Sequence, residues 1–98
     1  MEYMELEVYS QATNRAVVKM PGRHFPGLVI QGDTLSSLLY LAESICEKSE
    51  KTSDVDLINK SRELRNNLQQ LLLHYEATLS KHNIPLPYSK SQSPPSKS

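Results

Sequence analysis

The chain has 98 residues, with eleven Lys/Arg against eleven Asp/Glu and so no net formal charge. That length holds one small domain, and the neutral balance excludes a surface built to coat long DNA or RNA. Five Tyr, one Phe and no Trp exclude a large aromatic core, and a single Cys excludes a disulfide framework or a Cys-based zinc site.

The N-terminus, with Glu2, Glu5 and Glu7, lacks the basic and apolar runs of a signal peptide. No apolar run approaches the ~20 residues of a membrane span. A soluble, intracellular chain is expected. Residues 3–9 alternate imperfectly and suit a short strand or an extended arm. Ser10 then offers an N-cap, and Ala12, Ala16, Val17 and Met20 recur at helical spacing, which predicts a short helix ending at Pro21-Gly22. A strand through Ala16, Val17 and Val18 is the rival, because β-branched residues favour it.

Residues 20–33 gather all three glycines (Gly22, Gly27, Gly32), with Pro21 and Pro26, around Arg23, His24 and Phe25. Proline holds φ and glycine frees it, so a cation, an imidazole and an aromatic ring are presented on a constrained loop. Residues 10–32 carry Arg15, Lys19 and Arg23 and no acid, a block that suits either a solvated positive face meeting the acidic N-terminus or a local anion site in a neutral protein.

Asp33 or Thr34 then caps a predicted helix over 34–50, with one apolar stripe of Leu35, Leu38, Leu39, Ala42, Ile45 and Cys46. Ser53 and Asp56 have the form of a capping box for a second helix over 54–82. Its apolar side takes Leu57, Ile58, Ser61, Leu64, Leu68, Leu71, Leu72, Tyr75 and Leu79, near a heptad rhythm. Asn83 suits a left-handed C-cap, Ile84 folds back over the last turn and Pro85 prevents continuation. The short connection makes the helices antiparallel. The expected fold class is therefore all-α: a short N-terminal helix or arm (1–33) and a two-helix hairpin in one domain, 1–88. Two helices cover each stripe on one side only, so a homo-oligomer is expected. Residues 89–98, rich in Ser and Pro, are expected to be a disordered tail.

Catalytic chemistry is hard to assemble. Cys46 falls on the apolar stripe and reads as core, and His24, His74 and His82 have no ligand spacing. The acids Glu43, Glu47, Asp54 and Asp56 are explained by helix surfaces and caps, and there is no Walker or dinucleotide fingerprint. No enzyme, metal or cofactor is expected. An anion site is easier to build. Free N–H groups of the Gly-rich turn and Arg23 can hold phosphate oxygens, and Phe25 or Tyr9 offers a face for a base. Arg65 flanks the second stripe without an acid at i±3 or i±4, so it can meet an anion shared between subunits.

Tyr9-Ser10, Asn14 to Val18, Pro21-Gly22-Arg23, Phe25-Pro26-Gly27 and Val29 to Asp33, followed by a helical hairpin, resemble the phage-encoded second anti-CBASS protein family, over roughly residues 5–88. CBASS is the cyclic-oligonucleotide-based antiphage signalling system of bacteria. The resemblance implies small α-helical proteins, assembled as hexamers in the cytoplasm of the infected host, that sequester cyclic dinucleotides and often cyclic trinucleotides without cleaving them. It implies a dinucleotide pocket at Tyr9 and His24, and a trinucleotide pocket at Arg65 and Gly22. His24 stands where that family has lysine, and a neutral imidazole loses most of the phosphate attraction. The alternative, from another class, is a small protein–protein module such as an immunity protein or antitoxin-like adaptor.

Overall fold

The computed structural model describes residues 1–89. The order of elements is β1 (Glu7–Ser10), β2 (Val17–Lys19), β3 (Gly27–Leu28), α1 (Gly32–Ser49) and α2 (Val55–Lys81). The three strands form one antiparallel sheet in the order β1-β2-β3, so the all-α expectation is overturned. No helix occupies residues 11–20. The reason is local. The Ser10 hydroxyl does accept from a backbone N–H two residues on, Ala12, at 3.3 Å, but the same bond closes an ST-turn as readily as a helix cap. A second turn follows, with Arg15 N donating to Ala12 O at 3.2 Å. The β-branched pair Val17-Val18 then enters β2, opposite Ser10 and Val8 of β1, with a bulge between those two. On its other side β2 pairs Val17 with Leu28 and Val18 with Gly27, and Val29 N donating to Ala16 O at 2.8 Å prolongs the ladder.

The helical hairpin agrees closely with expectation. Helices of 18 and 27 residues span about 27 and 40 Å. α1 starts two residues early, at Gly32 after Gln31. Asp33 accepts from the Thr34 N–H at 2.8 Å and places a negative charge in the first turn. The cap of α2 is Asp54 rather than Ser53, its carboxylate accepting from Leu57 N at 3.0 Å. At the far end Asn83 adopts φ 58°, with Ile84 N donating to Leu79 O at 2.9 Å and Asn83 N to Ser80 O at 3.1 Å. Those two bonds are a complete Schellman motif.

The two stripes pack against each other, but each is narrower than its apolar pattern. On α1 Leu35, Leu39, Ala42 and Cys46 are buried, whereas Leu38 and Ile45 are exposed. On α2 Ser61 and Leu72 are buried and Leu68 and Tyr75 half-buried, whereas Leu57, Leu64 and Leu71 face outward. Large side chains (Leu35, Leu39, Leu68, Leu72, Tyr75) fill the open end. Small ones (Ala42, Cys46, Ser49, Ser61) occupy the end near the turn, where the backbones must converge. Tyr88 folds back on the open end and donates to Glu76 Oε2 at 2.7 Å. The main tertiary contacts are α1 with α2 and strand with strand; the sheet packs only weakly on the helices. The Cα radius of gyration is accordingly 16.3 Å, against about 13 Å for a compact chain of this length. Of the expected tail, residues 90–98 lie outside the described residues.

Candidate functional site

The Gly/Pro segment is the connection of a β-hairpin, between Lys19 at the end of β2 and Gly27 at the start of β3. Arg23 N donates to Met20 O at 3.1 Å, closing a β-turn with Pro21 and Gly22 at its centre. Gly22 has φ +82°, as the third residue of a type II turn requires, and Pro21 supplies the fixed φ of the second. The turn swings Arg23, His24 and Phe25 outward. Residues 20–27 curl around an open depression of about 800 Å³ that they line by themselves.

Within it the His24 and Phe25 rings meet edge to face, centroids 4.6 Å apart at 82°. That arrangement puts the positive edge of one ring on the negative face of the other. The Phe25 residue is 75% exposed, an unusual position for a large aromatic residue in a hairpin tip that covers no core. The Arg23 guanidinium makes no hydrogen bond or ion pair among the described residues. Lys19, at the base of the loop, pairs in register with Glu7 of β1.

The remaining candidates are placed elsewhere. Neither Tyr9 nor Arg65 lines the depression. Tyr9, exposed on β1, donates its hydroxyl to Glu7 Oε1 at 2.7 Å. That bond and the Glu7 charge raise its pKa above the usual phenol value. A carboxylate already holds the hydroxyl, so Tyr9 offers its ring to a ligand but is poorly suited to meet a phosphate. Arg65 lies half-buried in the seam of the hairpin. Its Nη1 is 3.5 Å from the buried Cys46 Sγ, and its Nε and Nη2 donate to Asn66 Oδ1 at 3.2 and 3.1 Å. The absence of an acid at helical spacing is thus met by a neighbouring amide and a thiol across the seam. Cys46 is a core residue, 2% exposed. Among the described residues no three His, Cys, Asp or Glu come together as a metal site, and no helix is long and apolar enough to cross a membrane.

A second feature was hidden in the sequence. Leu38, Leu41 and Ile45 of α1 and Leu57, Leu64 and Leu71 of α2 are all 40–57% exposed. The spacing of seven between Leu57, Leu64 and Leu71 is its sequence signal, but the neighbouring Ile58, Leu68 and Leu72 merge with it into one apparent stripe.

A family model matches residues 1–88, and the chain belongs to that family, a family of unknown function (DUF6959). No curated protein and no solved structure matches the chain. The resemblance drawn from the motifs implies an all-α protomer, which is not the architecture found.

Proposed function

We propose that this chain is a non-catalytic binding protein whose β2–β3 loop takes a ligand bearing both phosphate and base, and that cyclic oligonucleotides are the class it sequesters. The depression formed by residues 20–27 carries the reading, because it combines an unpaired guanidinium with an exposed aromatic face. Arg23 supplies a bidentate fork for phosphate oxygens, and Phe25 supplies a stacking surface worth ~1–3 kcal/mol per base. His24 buttresses the Phe25 ring from its edge and adds an N–H donor. Of the residues that line the depression only His24 could act as a base or nucleophile, the lining holds no carboxylate or second histidine to work with it, and the one thiol of the chain is buried in the hairpin seam. The ligand is therefore held and released unchanged.

The geometry favours one site per hairpin tip over the two separate pockets that the resemblance implies, since Arg65 is engaged within the hairpin. The test is to incubate the protein with cyclic di- and trinucleotides, measure the melting shift, then denature it and recover the nucleotide. Saturation at a hundred times Kd stabilises the native state by ~2.7 kcal/mol. Arg23→Ala and Phe25→Ala are expected to abolish the shift, and the recovered nucleotide to be intact. No shift with any cyclic nucleotide would overturn the reading, and degraded nucleotide would make the protein an enzyme.

A further inference from the structure

Strand register decides what stands beside the β2–β3 tip. Glu7 lies opposite Lys19 and Ser10 opposite Val17, so β1 enters the sheet at the tip end and leaves it at the far end. The residues that precede β1 therefore start from the same end of the sheet as the loop 20–27. They cannot lengthen β1 there. β2 turns away at Met20, where Arg23 N donates to Met20 O, and Pro21 has no N–H for a further rung. Residues 1–6 are accordingly an arm outside any helix or strand, exposed at every position.

The arm and the tip are opposite in charge. The arm brings Glu2 and Glu5 and no basic side chain, whereas residues 19–27 bring Lys19 and Arg23 and no acid. Glu7 is already engaged, facing Lys19 in register and accepting from the Tyr9 hydroxyl at 2.7 Å. Arg15 stands in the turn at the other end of β2, away from the arm. Among the described residues Glu2, Glu5 and Arg23 make no ion pair or side-chain hydrogen bond. The reach is sufficient. At ~3.3 Å per extended residue, Glu5 and Glu2 extend to about 7 and 17 Å from Glu7, and Arg23 stands within about 14 Å of Lys19.

We infer that the arm is an internal competitor for the tip: a carboxylate of Glu5 or Glu2 closes onto the Arg23 guanidinium and yields it to a bound phosphate. This rests on the reading of the tip as an anion site. The structure holds the arm open, and closing it moves only exposed residues. The two like charges in the arm also repel a phosphate approaching Arg23. Both effects lower affinity, and both are modest, because the groups are exposed and screened by water.

The test is the double substitution Glu2→Gln with Glu5→Gln, which keeps the length and shape of the arm. The first measurement needs no ligand. The Arg23 Nε–H resonance, followed by NMR, is expected to differ between wild type and the double variant at low salt and to coincide at high salt. The second is calorimetric titration with cyclic di-AMP, which the double variant is expected to bind about fivefold more tightly. Glu63→Gln, the same charge change on α2, is expected to leave both readouts unchanged. An Arg23 resonance indifferent to the double substitution overturns the inference, whatever binds. Equal affinity overturns it and leaves the anion site standing; weaker binding by the double variant overturns it by making the arm part of the ligand's hold. Cyclic di-AMP bound by neither protein, with a resonance that moves, supports the arm's contact and counts against the proposed ligand.

Discussion

The ring of Tyr75 lies where a side chain on Gly32 would have to go: a Cβ built on Gly32 collides with the outer ring atoms of Tyr75. The first turn of α1 is thereby docked on the open end of α2. Glycine is required here for space, not for φ. Gly32→Ala is expected to destabilise the protein by ~1–3 kcal/mol through overpacking, measured by urea unfolding. In a Tyr75→Leu background the same change is expected to cost much less, and additivity of the two substitutions would disprove the clash.

Gly22 is required for the opposite reason. Nothing lies within 4 Å of a Cβ built there, but φ is +82°. Gly22→Ala is expected to cost ~1–2 kcal/mol of local backbone energy. Because the turn is remote from the helical core, the loss is expected to appear mainly as weaker ligand binding and faster proteolysis at residues 20–27. Gly27→Ala, with open space and no positive φ, is the control and is expected to be close to neutral in stability.

The ends of α2 make a paired prediction. Asp54→Ala removes the carboxylate that accepts from Leu57 N and is expected to cost ~1 kcal/mol, whereas Ser53→Ala is expected to change little. At the other end Asn83→Gly relaxes a left-handed residue and is expected to be neutral or stabilising, while Asn83→Ala is expected to cost ~1 kcal/mol. Thermal unfolding of the four variants ranks them directly. A larger loss from Ser53→Ala than from Asp54→Ala would move the cap back to Ser53.

Tyr88 governs alkaline stability. Burial, the hydrogen bond to Glu76 and the charges of Glu76 and Tyr75 together hold its phenol well above the ordinary value. The neutral form is favoured in the folded state, so this contribution is fully present below the unfolded phenol pKa of ~10 and is lost as pH rises beyond it. Ultraviolet titration is expected to show one tyrosine ionising after the others. Tyr88→Phe is expected to remove that late step and flatten the fall in stability above the phenol range. An unchanged titration curve would show that Tyr88 is not held against Glu76.

The hairpin was legible because its signals are local. Asn83 followed by Ile84 and Pro85 marks a C-cap, and the step of three and four through Leu35, Leu39, Ala42 and Cys46 marks a face, whatever the rest of the chain does. The N-terminal third was not legible in the same way. Ser10 followed by Ala12, Ala16 and Met20 satisfies a helix by its spacing, and Val17-Val18 satisfies a strand by its shape. Pairing with residues 7–10 and 27–28 decided between them, and such partners are distant in sequence.

The sequence by itself determined two capped antiparallel helices, a constrained tip bearing Arg23, His24 and Phe25, and a cysteine in the core. Only the tertiary structure decided that the tip belongs to a β-hairpin, that Arg65 turns toward Cys46 and Asn66 instead of the tip, and that eight of the fourteen leucines remain outside. The physical reason is common to all three. A residue's spacing sets which face of its own element it occupies, but what that face meets depends on the register against another element. One hairpin can cover the seam of its two helices, and cannot cover the flank beside it.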